Sequence, residues 1–119
     1  MIMNIYFQAK NVEIHPNIKD TMANRMYGLN KFFSWDTNAY IDIERTRQSH
    51  HGHDLYYVSI KIDDAHNQYF TEEYKENVRK AFDHAYGDMF RVVRSHRSKS
   101  RNIARKAGSK IKRIFKRQK

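Results

Sequence analysis

The stretch Tyr74-Lys75-Glu76-Asn77-Val78-Arg79-Lys80-Ala81-Phe82-Asp83-His84-Ala85-Tyr86-Gly87-Asp88-Met89-Phe90-Arg91-Val92-Val93-Arg94-Ser95-His96-Arg97-Ser98 is the longest periodic segment of the chain. Within it Val78, Phe82, Ala85, Tyr86, Met89 and Val93 recur mostly three and four residues apart, the signature of a helix with one apolar stripe. A helix from near Tyr74 to about Ser98 is therefore predicted. Its stripe has to be buried, and the residues upstream must supply the surface that covers it.

Working back from this helix, Gln68 to Glu72 contains Tyr69, Phe70 and Thr71, which suit a short strand. Asp63 to Asn67 reads as a turn. Before it, Tyr56, Val58, Ile60 and Ile62 alternate with Tyr57, Ser59 and Lys61, the period of two that marks a half-buried strand. Gln48 to Asp54 has no period and contains Gly52, so a hairpin loop is expected there. From Ala39 the alternation resumes, with Ile41 and Ile43 on one face and Tyr40, Asp42 and Glu44 on the other. The turn-forming cluster Trp35 to Asn38 precedes it, and Trp35 is expected to close the core. Ile18, Met22, Met26, Leu29 and Phe33 return at helical spacing and predict a helix over 16–33. Pro16 is its expected first residue, because the missing N–H would be unpaired there anyway. At the start, Met3, Ile5, Phe7 and Ala9 alternate with Asn4, Tyr6 and Gln8 as an opening strand.

The order is thus strand, helix, three strands, helix. Two amphipathic helices need an apolar surface, and a four-stranded sheet with Phe7, Ile43, Val58 and Ile60 on one face supplies it. The expected fold is α+β, a two-layer β-α-β-β-β-α sandwich with both helices on one face, the layering of double-stranded-RNA-binding domains. Residues 1–98 are read as this domain and 99–119 as a basic tail.

Composition narrows the function. With no cysteine, the chain has neither disulfides, thiolate metal ligands nor a cysteine nucleophile, which fits a reducing cytoplasm. No run approaches the roughly 18 apolar residues of a membrane span, and Met-Ile-Met-Asn-Ile-Tyr lacks a signal-peptide pattern. A soluble, cytoplasmic protein is expected. The net charge of +10 is unevenly spread: residues 1–74 hold 7 Lys/Arg against 10 Asp/Glu, and residues 75–119 hold 16 against 3. All of the positive excess lies in the last third, which points to a polyanionic partner and to where it sits.

A second stripe on the long helix, Lys80, His84, Gly87, Arg91, Arg94, Ser98 and Arg101, lies away from Phe82, Met89 and Val93. Stacked like charges cost a helix a few tenths of a kcal/mol per pair, and an RNA backbone offsets that cost. Asp83 and Asp88 are read as lying off this stripe. Beyond it, residues 99–119 hold ten Lys/Arg and no acid, with Ile103, Ala107, Ile111, Ile114 and Phe115 at helical spacing. This segment is read as a solvated tail that folds on RNA; an amphipathic helix on a membrane surface is the other reading.

Other constellations carry less. His50, His51 and His53 beside Asp54 could chelate from one loop, but the spacing matches no structural zinc pattern, and a polar hairpin is expected. Tyr6, Tyr40 and Tyr57 should project from the sheet face opposite the helices, where rings can stack on bases. Asp42, Glu44 and Asp63 nearby repel phosphate, so cross-strand packing is the expected role. The chain has no Gly-x-Ser-x-Gly, no phosphate-cradling Gly-rich loop and no His-Glu-x-x-His. Asp63, Asp64, Glu72 and Glu73 are the residue types of a magnesium nuclease, but adjacent residues in strands or turns diverge. No enzyme activity, cofactor, metal or small-molecule substrate is expected.

Lys10-Asn11-Val12-Glu13-Ile14, Leu29-x-Lys31-Phe32-Phe33, Ala81-Phe82-Asp83 and Arg91-x-x-Arg94-x-His96-Arg97-x-Lys99, in that order, resemble a known family over residues 3 to about 99. It is the ribosome hibernation promoting factors, also called ribosome-associated inhibitor A or sigma-54 modulation proteins. The resemblance implies binding to small-subunit rRNA near the decoding centre, across the mRNA and tRNA sites, and inhibition of translation by steric occlusion. It also implies that Lys10, Lys31, Lys80, Arg91, Arg94, Arg97 and Lys99 face RNA; the charge pattern adds Arg101. Ala9 stands where the family usually has Gly, and Asp88 where Lys is common. Long members carry a C-terminal dimerisation domain, whereas this chain ends in its basic tail and resembles a short form, expected to be monomeric off the ribosome. From charge alone, a general binder of double-stranded RNA or other nucleic acid without ribosome specificity is the alternative.

Overall fold

Ile41, Ile43, Val58, Ile60 and Ile62, which the alternation places on one face, are all sealed from solvent in the computed structural model of the chain. It describes residues 3–33, 36–50, 53–64 and 66–103, the side chains of 47–50, 53–54 and 97–103 excepted. The order is β1 (Met3–Lys10), α1 (Pro16–Tyr27), a 3-10 turn (Asn30–Phe32), β2 (Thr37–His50), β3 (His53–Asp63), β4 (Gln68–Lys75) and α2 (Val78–Ile103).

The strands lie in the order β1-β2-β3-β4, with β1 parallel to β2 and the other two pairings antiparallel. A parallel pair needs a crossover, and α1 provides it. One row across the sheet reads Phe7, Ile41, Ile60, Thr71, and it faces the helices. Met22, Met26 and Leu29 come down on it with Phe33, and Ala81, Phe82, Ala85, Met89 and Val93 follow from α2, all in one buried cluster. Both helices therefore cover the same face, and the fold is the α+β sandwich that the periodicity implies. Phe7, expected in the core, is only half-buried because β1 is an edge strand that one helix covers in part.

Element boundaries differ from the sequence reading for identifiable reasons. α1 stops at Tyr27 rather than continuing to Phe33, since Gly28 follows and glycine is a poor helix former. The chain then tightens into the 3-10 turn, which sends Phe33 towards Tyr69 (centroids 6.1 Å apart) and Phe32 towards Phe90 (5.5 Å). β4 runs on to Lys75 because Tyr74 and Lys75 pair with Tyr57 and Tyr56. α2 accordingly starts later, where Asn77 Oδ1 accepts the Lys80 backbone N–H at 2.8 Å, an N-cap. It also ends later, at Ile103 rather than near Ser98. β2 and β3 extend into the segment read as a loop, as far as the pair His50 and His53, with a register shift between Thr46 and His50. Backbone pairing needs no apolar alternation, so the side-chain pattern is silent there. Trp35 and residues 104–119 lie outside the described residues, so the expectations for them do too.

Asn11, between β1 and α1, has φ 60°, in the left-handed region. Asparagine tolerates this region, whereas a β-branched side chain clashes with its own backbone. Asn11→Val is expected to lower stability by about 1–2 kcal/mol, which chemical denaturation measures.

Candidate nucleic-acid interface

α2 is docked through its apolar stripe, so the opposite side is left to solvent. Lys80, His84, Arg91 and Arg94 are all exposed there. At 1.5 Å per residue Lys80 and Arg94 stand about 21 Å apart along the axis. Arg97, Lys99 and Arg101 occupy the last turns of the same helix, which is continuous to Ile103.

The carboxylates are closer to this face than the sequence reading has them. Asp88 is ion-paired with Arg91, and Glu76 accepts from Lys80 Nζ at 2.6 Å. That hydrogen bond, with the ammonium charge behind it, holds the Glu76 carboxyl below the usual range. Both pairs are local, at i,i+3 and i,i+4, spacings at which helical neighbours meet. The Arg91 side chain keeps 67% of its exposure. Exposed pairs of this kind contribute about 0–1 kcal/mol, so Asp88 holds the Arg91 guanidinium only weakly.

Arg94 has a different anchor. Its guanidinium lies 5.5 Å from the centre of the Phe90 ring, and Lys31 Nζ lies 5.5 Å from the same ring and 5.4 Å from Phe32. Phe32 meets Phe90 edge-on. Two cations from elements far apart in sequence are thus gathered around one half-buried phenyl, which orients them without neutralising them. This grouping depends on the 3-10 turn and is invisible to periodicity.

Lys10 stands elsewhere. It lies beside Glu44 at the far end of the sheet from Lys31, and by alternation it belongs with Tyr6 and Gln8 on the face away from the helices. His96, part of the basic motif in sequence, is buried, and its Nδ1 lies 2.6 Å from the Tyr69 hydroxyl. Its role is to tie α2 to β4. Arg25, which the sequence reading passes over, is ion-paired with Asp83 and sits 4.6 Å from the Tyr86 ring centre, clipping α1 to α2. The Gly28 Cα faces the same tyrosine, and a methyl there would come 3.5 Å from its hydroxyl.

On the open face of the sheet Tyr6 stacks on Tyr40 at 5.3 Å, and Tyr57 packs against Tyr74 at 4.9 Å. These are cross-strand pairs in register. The Tyr57 hydroxyl donates to Glu72 at 2.8 Å. Partial burial, then this bond to a carboxylate, push the Tyr57 phenol up to about 12.

Among the described residues no helix is long and apolar enough to cross a membrane, and no three acidic or histidine side chains are grouped to hold a metal. The side chains of His50, His53 and Asp54, and all of His51, lie outside the described residues.

A family model described as Sigma 54 modulation protein / S30EA ribosomal protein matches residues 5–101. Among solved structures, the N-terminal domain of Protein Y from Thermus thermophilus superposes with a TM-score of 0.64 at 17% identity, over 78% of this chain and 96% of that one. A ribosomal subunit interface protein from Coxiella burnetii gives 0.62 at 11% identity, over 82% and 99%. At these identities the two structures show the shared fold. No curated protein matches the chain.

Proposed function

Because the chain belongs to the sigma 54 modulation protein / S30EA ribosomal protein family, we propose that it is a ribosome hibernation factor acting in the cytoplasm. It binds rRNA in the mRNA and tRNA channel of the small subunit and inhibits translation by occupying that channel. The observation that carries this reading is the convergence of Lys31 and Arg94 on the half-buried Phe90, at the flank of a docked helix. Cations held by a rigid element lose little freedom when phosphate arrives, so more of each contact appears as affinity. Arg91 and Lys80 extend the row, and Arg97, Lys99 and Arg101 continue along the helix. Lys10, on the sheet face away from the helices, stands apart from this row.

Nothing in this mode of action requires bond chemistry. A helix of 26 residues is about 39 Å long, and a body of this size lying in the channel excludes mRNA and tRNA by volume.

Co-sedimentation tests the reading. At moderate salt the purified chain is expected to travel with small subunits and to be competed poorly by generic duplex RNA. Equal binding to any duplex, with none retained on subunits, would identify a general RNA binder instead. Salt dependence adds a second measurement. Residues 104–119 carry eight Lys/Arg, and each phosphate contact contributes about 0.7–0.9 to the slope of log K against log salt. Deleting 104–119 is expected to flatten that slope; an unchanged slope would show that the tail makes no phosphate contact.

A further inference from the structure

The open face of the sheet has no covering layer among the described residues, and its side chains form an ordered grid. Strand register sets out Tyr6, Tyr40, Lys61 and Phe70 as one row, then Gln8, Asp42, Ser59 and Glu72, then Lys10, Glu44, Tyr57 and Tyr74. Tyr6 and Tyr74 are each 51% exposed, and Tyr40 36%. Asp42 and Glu72 thus lie between two tyrosine pairs, Tyr6–Tyr40 and Tyr57–Tyr74. With Glu44 and Asp63, the face carries four carboxylates against Lys10 and Lys61. It repels phosphate, and it suits a segment that combines cations with apolar side chains.

The chain supplies such a segment. Residues 104–119 hold eight Lys/Arg, no acid, and Ile111, Ile114 and Phe115. The segment also starts within reach. His96 is tied to Tyr69 at the beginning of β4, and α2 continues seven residues further to Ile103, about 10 Å beyond that end of the sheet. Sixteen residues span up to roughly 53 Å when extended. Passing round β4 takes about 10 Å and reaching mid-strand about 15 Å more. Tethering raises the local concentration into the millimolar range. The face already shows the contact required, with Lys61 Nζ 5.9 Å from the Tyr40 ring centre.

We propose that residues 104–119 dock in cis on this face, their Lys and Arg side chains on Asp42, Glu44 and Glu72 and over the flanking tyrosine pairs. The acidic sheet then acts as an internal stand-in for RNA. It withholds the tail from weak, scattered phosphates and yields it to a partner of higher charge density, so binding is selective by competition. This inference does not depend on the partner being a ribosome.

The absence of cysteine allows a single spin label. With a nitroxide on Lys119→Cys in the full-length protein, amide NMR of the free chain at low salt is expected to show loss of intensity at Tyr6, Tyr40, Asp42, Tyr57 and Tyr74. Lys80 and His84 should keep theirs. The lost intensity should return at about 1 M salt, where the Debye length is about 3 Å, and on addition of a short duplex RNA. Asp42→Asn with Glu44→Gln should restore it at low salt. An unaffected sheet, loss confined to α2, or no response to that double variant would overturn the proposal. So would loss seen only between separately labelled molecules, which would make a second copy's tail the occupant. The experiment contains no ribosome, so its failure and a failure to co-sediment are separate results.

Discussion

Arg91→Glu combined with Arg94→Glu is expected to weaken binding to small ribosomal subunits by roughly a hundredfold or more. Each arginine stands to lose a charge-assisted contact of about 1.5–3 kcal/mol, and about 1.4 kcal/mol is a factor of ten. The fold should survive, because neither side chain enters the core. Arg94 gives up a cation–π contact of about 0.5–1 kcal/mol, and the reversed charge at position 91 meets Asp88 at a cost of a few tenths of a kcal/mol. Subunit binding curves and circular dichroism melts of the same samples separate the two effects. Wild-type affinity in a folded double variant would remove α2 from the interface.

The second large effect is on stability. Ile60 is fully buried, flanked by Ile41 and Thr71 across the sheet and covered by α2, whose Ala85 carbonyl accepts a hydrogen bond from the Thr71 hydroxyl at 2.9 Å. Ile60→Ala removes this side chain from the centre of both layers and is expected to cost about 2–5 kcal/mol. Domains of this size have only about 5–15 kcal/mol in total. At about 4–8 °C per kcal/mol the melting temperature should fall by roughly ten degrees or more. Tyr74→Ala, on the open face, should move it far less. Equal shifts for the two substitutions would mean that the buried layer is not where the stability resides.

What the sequence could and could not reveal follows from the range of the interactions. Ile41, Ile43, Val58, Ile60 and Ile62 were legible because burial on one face imposes a period of two on the residues themselves. The stripe from Val78 to Val93 was legible for the same reason at the helical period. Asn77 was also readable as a cap, three residues before Lys80, but the helical period extrapolated past it into β4. The pairs Glu76–Lys80 and Asp88–Arg91 likewise follow a spacing rule that the sequence displays. The Lys31, Phe90, Arg94 grouping is of another kind. It joins residues about sixty positions apart through a 3-10 turn whose existence depends on tertiary packing, and no local pattern encodes it. His96 is the opposite case: Arg91 and Arg94 of the same basic motif face solvent, while it turns inward to Tyr69.

The most direct measurement places the helix on its partner. Ser95 is exposed and adjacent to Arg94, so Ser95→Cys gives the chain one thiol for an iron chelate that releases hydroxyl radicals. With the labelled protein on small subunits, strand cleavage is expected in the rRNA that lines the mRNA and tRNA path, and it should vanish when Arg91 and Arg94 are reversed. Cleavage only on the outer surface of the subunit, or none above the level of free label, would contradict the placement of α2 in the channel.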